Sequence, residues 1–399
     1  MLLRSFKQKN FRYFLFGESF LQIGDIAEML VLAWVVLERT ENPALLGIFA
    51  ALRFLGTLAS PFYGVWVDKY NHKTLLLIGR FVFAFMSFIL LILAITDLLE
   101  VWHLFVIITI SGLARSFRNI MREVLTADVI QPNLFANAIG LTRTTTDLMN
   151  ILGPLLGGLL LKYYGISAAY ILIVAVYTGS IITGYMLILP KSNTRPNQFS
   201  MWENLKKVSA YIKMNQVICG LLIMAFIVNF TMLSMKDVLL TVFAKEILFI
   251  GPDGLGRLIA SLFTGAFLGS LSIAAFTKFQ RGGRFLLVSS FVWHGLGILL
   301  LFTTNVTVFM TILFSIGIFQ SFVMVTMATL LIKITPAKMR GRVMGVRSLA
   351  IYGLPLGLLT AGFISNTYDA PTAMLVQVII GLCITALVTL LLRKLWYVK

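Results

Sequence analysis

Long apolar runs separated by short polar links repeat along almost the whole chain of 399 residues. Apolar residues make up 59% of the sequence and charged residues 12%, whereas a soluble protein carries about 25% charged residues. A membrane-spanning helix needs about 20 mainly apolar residues, and about twelve runs reach that length. The chain is therefore predicted to be an all-α polytopic membrane protein, because helices satisfy their own backbone polar groups in a bilayer and barrel-like alternation is absent. We number the runs as spans 1–12, and they lie roughly at 11–37, 43–66, 74–97, 102–128, 136–161, 167–189, 216–243, 254–277, 284–304, 306–333, 343–365 and 371–393.

The formal net charge of +17 could indicate a nucleic-acid partner, but its placement indicates topology instead. Lys and Arg are concentrated in alternate loops, with Arg80 counted among the residues that follow span 2. The other loops hold few basic residues, namely Arg39, Lys162, Lys245 and Arg257. This bias predicts that both termini are cytoplasmic, and we expect a multi-pass protein of the inner membrane.

One long polar segment, Pro190 to Gln216, divides the spans into six plus six. It predicts an N-terminal bundle at 1–190, a cytoplasmic linker at 191–215 and a C-terminal bundle at 216–399. The halves also repeat in the same sense, because each places a proline and then a series of glycines in its fifth span. Parallel six-helix repeats with a binding site between them are known in transporters.

Two motifs carry a resemblance to a known family. The link between spans 2 and 3 reads GVWVDKYNHK and contains Gly64, Asp68, Lys69 and Lys73. Span 5 has Gly140 and later Gly-Pro-Leu-Leu-Gly-Gly, with Met149 where a further glycine is usual; its motif residues are Gly140, Gly153, Pro154, Gly157 and Gly158. Both resemble motifs of the major facilitator superfamily, and the second resembles the signature of its proton-coupled exporters.

The resemblance implies the major facilitator fold, in which twelve transmembrane helices form two parallel six-helix repeats. It further implies a drug, siderophore or macrolide exporter. It implies that Asp68, Lys73 and Asp128 form a cytoplasmic gating network with the Gly64 and Lys69 positions of the motif. The alternative interpretation of the second motif is that Gly157 and Gly158 serve close packing, because glycines let membrane helices approach each other.

Ionisable residues inside the spans give a candidate site, because a charge at mid-bilayer costs about 2.5–3.5 kcal/mol and therefore faces a cavity or a partner. Span 1 carries an acidic stripe at helical spacing, and span 4 carries an arginine stripe. The alternative is structural ion pairing, most clearly between Asp25 and Arg53. The predicted substrate-binding residues are Glu18, Gln22, Asp25, Arg53, Arg115, Arg118, Asn229 and Gln320.

Proton coupling is assigned to Asp25 or Glu28. Asp25 is the first choice because it lies at mid-depth, and Glu28 takes the role if Arg53 holds Asp25 ionised. His294 is interpreted as a packed, hydrogen-bonded residue.

No enzyme site is predicted. The sequence lacks a phosphate-binding glycine loop that ends in Lys-Ser or Lys-Thr, which argues against ATP as the energy source. No cluster of His and Cys indicates a metal, and no cofactor is expected. The expected partners are a small-molecule substrate, protons and the lipid bilayer, and we expect a monomer.

The predicted function is proton-coupled export of an amphiphilic small molecule by alternating access. The extra arginines indicate that an anionic group on that molecule would be accepted. An importer or a lipid or lysolipid flippase on the same fold is one alternative, and a non-transporting membrane receptor or scaffold is another.

The topology is testable by cysteine labelling. A single cysteine at position 198 should stay unlabelled when intact cells are treated with a membrane-impermeant thiol reagent, because the central loop is predicted to be cytoplasmic. A cysteine at Glu100, on the predicted outer side, is the positive control. Strong labelling at 198 from outside would refute the orientation.

Overall fold

The computed structural model describes residues 5–59, 63, 66–67, 69–130, 134–189, 209, 211–212, 214–275 and 281–398, and these residues are helical with short connections. The predicted linker at 191–215 lies almost wholly outside them, so the predicted domain boundaries stay a prediction. The helices are α1 (Lys9–Thr40), α2 (Pro43–Leu52), α3 (His72–Ile95), α4 (Val101–Val129), α5 (Phe135–Tyr185), α6 (Gln216–Val228), α7 (Leu239–Val242), α8 (Pro252–Ala275), α9 (Gly282–Leu299), α10 (Val306–Ile334), α11 (Ala337–Leu349), α12 (Gly353–Thr367) and α13 (Ala370–Leu391).

Among the described residues, 10 helical stretches are long and apolar enough to cross a membrane, and the apolar stretch Pro43–Ala59 is shorter. One of the 10, at Asn137–Tyr185, has 49 residues. At about 1.5 Å per residue it is more than twice the bilayer's hydrocarbon thickness of about 30 Å, so it holds two crossings. Ten stretches, one of double length, together with the shorter one, account for the twelve predicted spans.

Gly165 is the point at which the two crossings inside α5 separate. Its backbone has φ 77° and ψ −179°, a conformation essentially confined to glycine. Spans 5 and 6 are therefore joined by a turn at one residue, where the sequence predicted a link.

Contacts divide the chain into two compact units. Unit 1 comprises Met1–Glu41, Phe49–Asn197 and Ile250–Ala260. Unit 2 comprises Asn42–Ile48, Gln198–Phe249 and Ser261–Lys399.

In unit 1, α1 packs against α5 and α4, and 20 of its 32 residues are buried. The buried residues include Glu18, Gln22, Asp25 and Glu28, whose exposed fractions lie between 4% and 8%. These side chains consequently face protein and not lipid.

In unit 2, α8 and α10 cross through reciprocal glycines. A Cβ on Gly265 would lie 1.9 Å from the carbonyl oxygen of Phe314, and one on Gly317 would lie 2.0 Å from that of Leu262. Gly265 and Gly269 form the small-xxx-small pattern that lets membrane helices pack closely.

Gly265→Ala should therefore lower the free energy of unfolding by about 1–3 kcal/mol, the usual cost of overpacking. Thermal unfolding of purified protein in detergent measures the change. The control is Gly295→Ala, since a Cβ there meets no atom within 4 Å. Equal stability of the two variants would contradict the close-packed crossing.

Candidate functional site

The acidic stripe of α1 lies among arginines from three other segments of unit 1. Asp25 forms ion pairs with Arg53, which follows α2, and with Arg115 of α4, whose Nε lies 3.0 Å from Asp25 Oδ2. Arg118 Nη1 lies 3.7 Å from the same oxygen. Arg53 also donates to the backbone carbonyl of Asp25 at 3.2 Å. The Asp25–Arg53 pair expected from the sequence is thus present, with two further guanidinium groups beside it.

Glu18 lies between two buried arginines, about two helical turns before Asp25. Its Oε1 is 3.4 Å from Arg80 Nη2, and its Oε2 is 3.4 Å from Arg118 Nε. Arg118 therefore contacts two of the three carboxylates of the stripe, Glu18 and Asp25, which joins the two sets of ion pairs into one network.

Gln22 extends this network to α5. Its Oε1 accepts a hydrogen bond of 2.8 Å from Arg118 Nη2, and its Nε2 donates at 2.8 Å to Asn150 Oδ1. Asn150 was not among the predicted residues, although it lies four residues before Pro154 of the exporter-like motif.

Two carboxylates, Glu18 and Asp25, are thus shared by four guanidinium groups, those of Arg53, Arg80, Arg115 and Arg118. Arg53, Arg80 and Arg118 are at most 7% exposed, and Arg115 is 24% exposed at its side chain. Arg115 also lies over the ring of Phe54, with its guanidinium carbon 5.7 Å from the ring centroid. Arg115 is therefore the most accessible arginine of the network.

Glu28 has a different environment. It accepts hydrogen bonds from Ser87 at 2.8 Å and Tyr177 at 3.0 Å, and the hydroxyl of Tyr170 lies at 3.5 Å. A hydroxyl can donate to a carboxylate or accept from a carboxylic acid. These contacts can consequently serve either protonation state of Glu28.

Arg80 is the main residue that the sequence analysis placed wrongly. It was counted with the basic residues that follow span 2, but it lies inside α3 and is 1% exposed. It donates to the carbonyl oxygen of Ser180 and contacts Glu18. Glycines make room for it, because a Cβ on Gly17 or Gly184 would lie 2.5 or 2.9 Å from Arg80 Nη1. The sequence feature that indicates a buried Arg80 is its place inside the apolar run LLLIGRFVF.

The predicted gating network is described only in part. Gly64 and Asp68 lie outside the described residues. Lys73 donates at 2.8 Å to the carbonyl oxygen of Tyr185, and Asp128 Oδ2 lies 2.7 Å from Nδ1 of His72, a partner that the sequence analysis did not name. Lys69 lies with its Nζ 5.6 Å from the ring centroid of Tyr70.

The glycines of the span-5 motif pack closely inside unit 1. A Cβ on Gly153 or Gly157 would lie 3.0 or 3.1 Å from carbonyl oxygens of α1, and one on Gly158 would lie 2.3 Å from that of Pro252. In return, a Cβ on Gly256 would lie 2.4 Å from the carbonyl oxygen of Pro154. Gly140 has open space around its Cβ position. The close-packing interpretation therefore fits four motif residues.

In unit 2 the predicted residues are more scattered. Asn229 donates to the carbonyl oxygen of Ala225 at 2.8 Å, and Gln320 is half-buried on α10. Their assignment to a binding site stays a prediction. His294 is fully buried, with Nδ1 2.8 Å from the Ser290 carbonyl and Nε2 3.0 Å from the Thr231 hydroxyl, as expected for a packed residue.

Comparison with known proteins decides the family. The family described as "Transmembrane secretion effector" (MFS_3) matches residues 2–396. The chain belongs to this family. It is therefore a membrane transporter of the major facilitator type.

Solved structures share this fold at low sequence identity. A bacterial homolog of the human lysosomal transporter Spinster, in an inward-facing and unoccupied conformation, gives a TM-score of 0.76 at 14% identity and covers 98% of each chain. A mutant form of the nucleoside transporter NupG gives 0.77 at 15% identity, over 97% of this chain and 100% of its own. No curated protein sequence matches the chain. Both structural likenesses establish the fold alone.

The part of the chain that is described contains no group of three or more His, Cys, Asp or Glu side chains that could hold a metal ion.

Glu18→Gln should lower the free energy of unfolding by about 3–5 kcal/mol, because it leaves Arg80 and Arg118 buried without their shared carboxylate. Thermal unfolding in detergent, followed by intrinsic fluorescence, measures this. Glu38→Gln is the matched control, since Glu38 is an exposed acid on the same helix. A loss no larger than that of the control would show that the Glu18 network contributes little to stability.

Proposed function

We propose that this transporter exports an amphiphilic small molecule in exchange for protons, by alternating access at a site built around α1. The observation that carries the proposal is the division of the α1 stripe into two kinds of acid. Asp25 and Glu18 are held by arginines, whereas the hydrogen bonds of Glu28 come from hydroxyl groups.

This division favours Glu28 over Asp25 as the group that carries the proton. Protonating Asp25 would break ion pairs with Arg53 and Arg115, and breaking a buried pair costs about 3–5 kcal/mol. Protonating Glu28 only reverses the direction of a hydrogen bond to Ser87 or Tyr177. Glu28 also interacts electrostatically with Asp25 and Arg53, so a change of its charge changes the electrostatic energy of the arginine network.

The arginines favour a substrate with an anionic group. Within the ion-paired network, four guanidinium groups share two carboxylates, and charges in a membrane are costly unless they have a partner, so an anionic substrate group would be favoured there. Arg115 is the most exposed of the four and is the proposed contact for that group. Phe54 beside it would supply apolar contact for an amphiphile.

Gating is proposed to follow the family motif, with Gly64, Asp68, Lys69, Lys73 and Asp128 at the cytoplasmic ends of spans 2–4. The described His72–Asp128 and Lys73–Tyr185 contacts tie α3 to α4 and to the end of α5. A change between the inward-open and outward-open states would have to break or rearrange these contacts.

Transport in proteoliposomes with an imposed pH gradient tests the proposal and its direction. An anionic fluorescent amphiphile should move toward the more acidic side, against the flow of protons, and a neutral analogue should move more slowly. Movement in the same direction as protons would favour an importer. Ligand binding without any flux would favour a receptor or scaffold.

Glu28→Gln should abolish accumulation driven by the pH gradient while ligand binding and downhill exchange persist, because the glutamine cannot exchange a proton. Glu38→Gln is again the control and should transport at the parent rate. If Glu28→Gln and Asp25→Asn both retain pH-driven transport at that rate, α1 does not carry the proton.

A further inference from the structure

A groove of about 640 Å³ lies in unit 1, and its lining contains none of the four arginines of the network. It is lined by Tyr63, Trp66 and Tyr70 and by residues of α3 and α4, among them Gly79 and Phe117. The volume is within the range of about 300–1,000 Å³ typical of ligand pockets. The lining is almost wholly apolar and aromatic, so the occupant must be apolar along most of its length.

The groove is open along one side, through side chains that are about half exposed. Trp66 is 50% exposed, Ile78 55% and Leu113 40%. Ile78 and Leu113 lie on helices long and apolar enough to span the membrane, where exposed apolar side chains face lipid tails because so large an apolar surface is unfavourable in water. The groove is therefore accessible from the bilayer.

Its length corresponds to one leaflet. Along α3 it runs from Thr74, in the first helical turn, to Val82, which is about 12 Å at about 1.5 Å per residue. Half of the hydrocarbon core is about 15 Å. An acyl chain that enters at the membrane surface would thus be enclosed to about the middle of the bilayer.

The surface end of the groove has the groups that a lipid headgroup requires. Trp66 and Tyr70 are among the lining residues, and Trp and Tyr are enriched at membrane–water interfaces. Tyr63 packs edge-on against Phe117 with ring centroids 5.5 Å apart. Lys69 lies beside Tyr70, with its Nζ 5.6 Å from the ring centroid. A lysine near a membrane surface contributes about 1 kcal/mol toward anionic lipid, which is about a fivefold preference.

We infer that this groove binds one acyl chain of an anionic phospholipid from the leaflet at the Lys69 surface, with the headgroup beside Lys69. The bound lipid would fill the space between Tyr63, Trp66 and Tyr70 on one side and helices α3 and α4 on the other. None of the proposed substrate-binding residues lines this groove, and lipid binding there does not depend on the direction or coupling of transport.

Trp66 gives a direct probe. The test uses a variant that keeps Trp66 and replaces Trp34, Trp102, Trp202, Trp293 and Trp396 by Phe, reconstituted in phosphatidylcholine vesicles. A low mole fraction of dibrominated phosphatidylglycerol should quench Trp66 with about fivefold higher apparent affinity than dibrominated phosphatidylcholine with the same chains.

Gly79→Leu on the same background should remove this preference. A Cβ on Gly79 lies 3.6 Å from the Phe117 ring, so the backbone accepts a side chain and the remaining leucine atoms fill the groove. Gly295→Leu is the matched control in open space and should keep the preference. Lys69→Gln should reduce the preference while total quenching at saturation stays the same.

Native mass spectrometry of the chain with its own tryptophans gives a second measurement, in case the single-tryptophan variant does not fold. Phosphatidylglycerol adducts should survive activation on the parent protein and be lost with Gly79→Leu. Equal quenching by both brominated lipids, or a preference unchanged by Gly79→Leu, would overturn the assignment. Quenching that an added amphiphilic drug relieves, without any phospholipid preference, would make the groove a substrate entry site and would also overturn it.

Discussion

The sharing of two buried carboxylates among four arginines is the interaction on which unit 1 depends. Glu18 and Asp25 lie on one helix, and their partners lie after α2, in α3 and in α4. In a membrane, apolar surface gives little drive for helices to associate, because lipid tails are as apolar as the helices. Ion pairs and close packing therefore determine where α1 lies, and α1 in turn determines where Glu28 meets Ser87 and Tyr177.

Close approach of backbones supplies the second constraint. Gly153, Gly157 and Gly158 bring α5 against α1 and the start of α8, and Gly17 and Gly184 leave space for the side chain of Arg80. The same residue type thus has two uses in one unit. Glycine lets helices pack closely, and it leaves space for the guanidinium group of Arg80, which a Cβ would obstruct.

Much of the fold could be predicted from the sequence because membrane-spanning helices have a clear hydropathy pattern. Span number, helical class, the Asp25–Arg53 pair and the packing of His294 followed from hydropathy and helical spacing. Arg80 was misplaced because its position beside a basic loop resembles a topology signal, and only tertiary contacts show that it is buried. The sequence did not identify the neutral partners of the α1 stripe, which are Ser87, Asn150, Tyr170 and Tyr177. Hydroxyl and amide groups are common in membrane helices, so nothing in the sequence distinguishes those that contact the stripe.

The environment of Arg80 also has a consequence for how the chain is made. Its carboxylate partner, Glu18, is synthesised before it, but the carbonyl of Ser180 that accepts its hydrogen bond is 100 residues further along the chain. Domains form from the N-terminus during synthesis, so α3 enters the bilayer with Arg80 only partly satisfied. We therefore expect the bundle to close around Arg80 only after span 6, which contains Ser180, has been inserted.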